Sequence, residues 1–176
     1  MVKNRRTPGA LLVLAAICVL LAGCFQSEQS KFPLANAAAP FGDGGRYIVY
    51  ERLAGDRFER QEVFVITRRP DRAYDFVNEK GETLTISLHA LDSDRFVGQA
   101  RPDKTQPGYG YVVFRITGNE VALYLPQCDK QDKSVLKAAG AEMNGEYECI
   151  VDRVSDPAAL FTRLNLGDPT SKLMRE

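Results

Sequence analysis

The chain of 176 residues contains no tryptophan, one histidine and four cysteines. Each scarcity removes a class of chemistry. His89 has no second histidine with which to share a metal, and no CxxC pair occurs, so a zinc site lacks ligands. There is no G-x-S-x-G, no H-E-x-x-H and no glycine-rich phosphate loop. Nothing in the sequence calls for a cofactor. Basic and acidic side chains balance at 23 each with no basic block, which argues against nucleic acid as a partner. Beyond the N-terminal region, no apolar stretch approaches the roughly 18 residues of a membrane-spanning helix.

What is present begins at the N-terminus. Lys3, Arg5 and Arg6 form a charged start, and residues 10–22 form an uncharged apolar run of 13. That length is short for a bilayer span and has the layout of a secretory signal. The run ends in Leu20-Leu21-Ala22-Gly23-Cys24, with small residues just before the cysteine. This stretch resembles the lipobox of bacterial lipoproteins. The resemblance covers the first 24 residues only. It implies that the Cys24 thiol receives a diacylglycerol group and that cleavage follows Gly23. A thiol suits this role because it is the most nucleophilic side chain near neutral pH. Each buried methylene then contributes roughly 0.8 kcal/mol, and two chains anchor firmly. In enteric bacteria an aspartate after the cysteine favours the inner membrane. Phe25 stands there instead, so the resemblance leans toward the periplasmic face of the outer membrane.

Cleavage after Gly23 leaves 153 residues, enough for one domain with a full core. That part carries 20 basic against 23 acidic side chains, a formal charge of −3. Residues 24–45 read as a lipidated tether, because prolines, alanines and glycines interrupt any periodicity. Residues 46–166 read as the folded domain, and 167–176 as a loose polar tail.

Within the domain the text is β-like. Segments 47–51, 62–67, 73–78, 83–91, 95–101, 109–116 and 121–125 are rich in β-branched and aromatic residues and are joined mostly by short turns. Segment 83–91 alternates most cleanly. Leu84, Ile86 and Leu88 point one way; Thr85, Ser87 and His89 point to a wetter face. Segment 147–154 is expected to be an eighth strand. Two short helices are expected near the C-terminus. Residues 132–139 end at Gly140, and a second helix follows Ser155-Asp156-Pro157 with Leu160, Phe161 and Leu164 on one side. The fold class is therefore mainly β, an antiparallel meander of about eight strands forming a curved sheet, a barrel or a sandwich. The strand count is similar to lipocalin-type barrels, without the tryptophan of their first strand.

Cys128 and Cys149 remain in the domain, and an exported protein favours their pairing. The alternatives are free buried thiols or a metal site. A bond would staple the loop before the first helix to the eighth strand. Such a helix is too short to be stable alone.

Chemistry is sparse. His89 is the obvious general base, but on a polar strand face it reads as a surface histidine. The seven tyrosines, Tyr47, Tyr50, Tyr74, Tyr109, Tyr111, Tyr124 and Tyr147, fall in or beside strands. Packing accounts for them, though a curved sheet could line a small cavity with them. The loop at 102–110 is a candidate rim. The favoured expectation is a non-enzymatic envelope lipoprotein, held to the membrane by lipid on Cys24, that binds or assembles with an envelope protein. The alternatives are a periplasmic carrier of a small apolar ligand in a tyrosine-lined cavity, and a hydrolase using His89.

Overall fold

Two-residue alternation gives each strand two different faces, and a meander of such strands buries one of them by curling on itself. The computed structural model describes residues 25–101 and 108–176. In it β2 (Gly44–Arg52), β3 (Phe58–Arg68), β4 (Tyr74–Asn78), β5 (Thr83–Ala90), β6 (Arg95–Ala100), β7 (Tyr109–Thr117) and β8 (Glu120–Tyr124) each pair antiparallel with the next. A last strand, β11 (Ser171–Arg175), pairs with both β8 and β2 and closes an eight-stranded barrel. The fold class expected from the sequence is thus a closed barrel with extra strands and two short helices.

The closing strand corrects two expectations. Residues 167–176 are not a loose tail, and segment 147–154 is not a barrel strand. Only β10 (Glu148–Ile150) forms there, outside the barrel, between β1 (Phe25–Ser27) and β9 (Glu142–Asn144). The reason is that β11 is held by main-chain bonds on both edges and needs only one buried anchor, Leu173. A polar strand between two partners leaves little hydropathy signal.

The lumen is packed. Phe41 enters the barrel and meets Tyr47, Tyr74, Phe76 and Phe114 at ring separations of 5.5, 5.4, 5.9 and 6.4 Å. Tyr74 donates its hydroxyl to the Gly42 carbonyl at 2.8 Å, which fixes the entering segment. Ile66, Ile86, Leu88 and Leu173 complete this core. Gly98 is required by close packing: a Cβ there would lie 2.5 Å from the Phe114 ring.

A second core lies outside the wall. The outward side chains of β6, β7 and β8, among them Val97, Tyr111, Val113 and Tyr124, are covered rather than wet. Their cover comes from the N-terminal segment and from the excursion between β8 and β11. Helices α1 (Lys133–Ala139) and α2 (Pro157–Arg163) contribute Leu136, Leu160 and Phe161. Asp132 caps α1 by accepting from Ser134 N at 2.7 Å, and Gly140 ends it in a left-handed conformation. Asp156 caps α2, with Pro157 at its first turn.

The expected tether at 24–45 is likewise corrected over the described residues 25–45, which are folded. Phe25, Phe32 and Phe41 are buried, and β1 joins the sheet. Three phenylalanines supply more apolar area than a solvated linker carries.

Candidate functional site

The outer wall of β5, β6 and β7 holds the most concentrated polar chemistry. Gln99 projects outward from β6 and is buried. Its side-chain oxygen accepts from the backbone N–H groups of Lys31 and Phe32 at 2.8 and 3.1 Å. Its amide nitrogen donates to Ser30 Oγ at 2.9 Å and to the Phe32 carbonyl at 3.2 Å. Tyr111 donates to the same Gln99 oxygen at 3.3 Å and shares a 2.5 Å hydrogen bond with Ser27 Oγ. Burial pushes the Tyr111 phenol up to about 12, although the Ser27 bond favours its ionised form. This network clips residues 27–32 to the barrel wall. Among the described residues, every buried polar side-chain atom has a partner.

His89 lies at the other end of the same cover. It is 4% exposed, so the expectation of a wet surface histidine is overturned. Its ring stacks on Phe32 at 4.9 Å, and Nε2 lies 3.1 Å from Ser87 Oγ. Ser87 is buried as well, while Thr85 is exposed and donates to Asp75 at 2.6 Å. Thus the outward face of β5 is wet at one end and covered at the other. Burial drives the imidazole down to about 4, against a backbone hydrogen bond at Asn36 that favours protonation. A ring that stays neutral until that pH is a weak base near neutrality. The groups around it are a hydroxyl, an aromatic ring and a backbone carbonyl, with Phe32 as a lid, and this arrangement packs and orients the ring.

Cys128 and Cys149 are bonded, with Cα atoms 5.6 Å apart. Cys128 opens a 3₁₀ turn (Cys128–Lys130) just before α1, and Cys149 is central in β10. The bond therefore joins the start of the helical excursion to the strand beside β1. Cys24 and the loop residues 102–107 lie outside the described residues. Among the described residues no group of His, Cys, Asp and Glu side chains could hold a metal, and no helix is long and apolar enough to cross a membrane.

The tyrosines do not share one cavity. Tyr47 and Tyr74 are in the lumen core, Tyr111 and Tyr124 are in the outer core, and Tyr147 is exposed. Among the described residues, surface hollows lie elsewhere. A cleft of about 170 Å³ lies between α1 and α2, lined by Val135, Ala139, Asp156 and Arg163. A shallower groove of about 430 Å³ lies at one barrel mouth, where Leu53 and Pro169 flank Arg52. Arg52 is paired there with Asp56 and Asp168, each at 2.7 Å.

Sequence reasoning missed Gln99, Ser27, Ser30 and Phe32 as a unit. The readable signal was the phenylalanine content of residues 25–41, which a solvated linker has no use for. Comparison with protein-family models, with curated proteins and with solved structures finds no match.

Proposed function

We propose that this chain is a non-enzymatic envelope lipoprotein, carried by lipid on Cys24, whose barrel is a rigid platform for binding or assembly with an envelope protein. The observation behind this reading is the filled lumen. Phe41, Phe76 and Phe114 occupy the space in which a barrel would hold a small apolar ligand. Recognition is then left to the outside of the barrel, and the mouth groove beside Leu53 offers an apolar edge rimmed by charge. The periplasmic face of the outer membrane is the favoured site, on the lipobox and on Phe25 following the cysteine.

Two measurements test this. Radiolabelled palmitate should join the native protein and fail to join Cys24→Ser, because a hydroxyl is a far weaker nucleophile. Equal labelling would reject the anchor. Protein purified from its own envelope should bring a partner protein and no stoichiometric small apolar molecule in an organic extract. A stoichiometric extracted ligand would reject the platform in favour of the carrier.

A further inference from the structure

We infer that the β9–β10 hairpin rests on the lipid bilayer and that the barrel stands flush against the membrane with no linker. The inference rests on the lipoprotein reading of Cys24 and gives that anchor a geometry. Phe25, the residue after the lipobox cysteine, is only 1% exposed. It starts a strand paired on both sides. Phe25 and Gln26 lie opposite Cys149 and Ile150 in a parallel pairing, while Gln26 and Ser27 lie opposite Gly110 and Tyr109 in an antiparallel one. The Val151 N–H donates to the Gln26 carbonyl at 2.9 Å, and the Glu28 N–H donates to Asp152 at 2.9 Å. One peptide unit spans about 3.8 Å between Cα atoms. Acyl chains on Cys24 would therefore leave directly from the wall of the fold.

The parallel register says what lies beside that point. Moving back from Cys149 along β10 leads to Glu148 and then to Tyr147 in the hairpin turn. Neighbouring strands lie about 4.8 Å apart. Tyr147 is 58% exposed and Met143, opposite Cys149 in β9, is 41% exposed. Tyrosine suits the headgroup level because its ring is apolar and its tip polar. Glu142, Glu146 and Glu148 stand on the same hairpin, and among the described residues Glu142 pairs with Arg153 at 2.7 Å. These carboxylates hold the contact at headgroup depth and keep it out of the acyl region. Around the barrel, β3 lies four strands from β7, on the opposite wall. Val65 on β3 would then face water, where a partner can reach it.

Because the chain has no tryptophan, a single indole reports its own depth. Tyr147→Trp, Met143→Trp and the control Val65→Trp would each be made in the full precursor, purified from the envelope and reconstituted in phosphatidylcholine vesicles carrying a spin label at headgroup or mid-chain depth. All three sites are exposed, so matching thermal melts should verify folding. The headgroup label should quench positions 147 and 143 by half or more, the mid-chain label less, and position 65 should stay within about a tenth of its unquenched signal. Protein whose mass shows acylated Cys24, but whose position 147 is quenched no more than position 65, overturns the flush orientation and leaves the anchor standing. A mass showing unmodified Cys24 in the native protein overturns the anchor, and the orientation falls with it.

Discussion

Phe25 lies opposite Cys149 in the parallel pairing of β1 with β10, and Cys149 is bonded to Cys128. The first described residue is thereby coupled through one strand to the turn that begins the helical excursion. Replacing both cysteines by alanine should cost about 3 kcal/mol, from the loop entropy of the cross-link. Denaturant melts measure this, and hydrogen exchange at the Val151 amide should quicken with the loss. An unchanged midpoint would mean that the packing around Phe25 holds β10 without the bond.

Gln99 should behave as a clip. Gln99→Met keeps the volume but leaves the Lys31 and Phe32 N–H groups without their acceptor. Each orphaned buried donor costs about 1–3 kcal/mol, so the variant should lose about 3 kcal/mol. Limited proteolysis should then cut within residues 28–36 before the barrel itself. Native resistance in that stretch would show that Phe25 and Phe32 hold the cover by packing alone.

His89 makes stability depend on pH. Its value falls from 6.5 in the unfolded chain to about 4 in the fold. Between these values the unfolded state binds more protons, so stability rises with pH. The contribution is present above about 6.5 and is lost as pH falls toward 4. From about pH 7 to about pH 5 the loss should reach up to about 2 kcal/mol. Asp92, held near 2 mainly by the Arg95 guanidinium, titrates below that window. Urea melts of the native protein and of His89→Gln at both pH values decide the matter. The same slope in both would assign the loss to other groups.

The two faces of β5 should respond differently. Ile86 packs into the lumen core, and Ile86→Ala should cost about 2–5 kcal/mol. Thr85 is exposed, and Thr85→Ala removes only a surface hydrogen bond to Asp75, worth under about 1 kcal/mol. Denaturant midpoints compare them, and equal losses would mean the register is inverted.

Closure should depend on the last strand. A stop after Gly167 deletes β11 and leaves β2 and β8 with open edges. Exposed edges invite pairing between chains. The truncated chain should lose cooperative unfolding and associate, as read by thermal melts and light scattering. A cooperative monomer with an unchanged midpoint would show that β11 is dispensable.

Much of this fold was legible in the sequence, for a local reason. Alternation in residues 83–91 gives Leu84, Ile86 and Leu88 one direction whatever packs on them, and Asp132, Gly140, Asp156 and Pro157 mark helix ends by their own backbone preferences. Strand content, the meander and both helices follow from such rules, and the pairing of Cys128 with Cys149 was one of the readings open to the two cysteines of the domain. Tertiary structure decided the rest. Whether the outward face of β5 is wet at His89 depends on Phe32, which lies 57 residues away in sequence. Whether the sheet closes depends on β11, whose polar side chains carry no periodic signal because both of its edges are satisfied by main-chain bonds. Residues 25–45 look like a linker when read alone, and become part of the fold because Phe25, Phe32 and Phe41 meet cores built by other strands. Local preference is written residue by residue. Burial and closure are set by which distant segments meet, and those meetings exist only once the chain has folded.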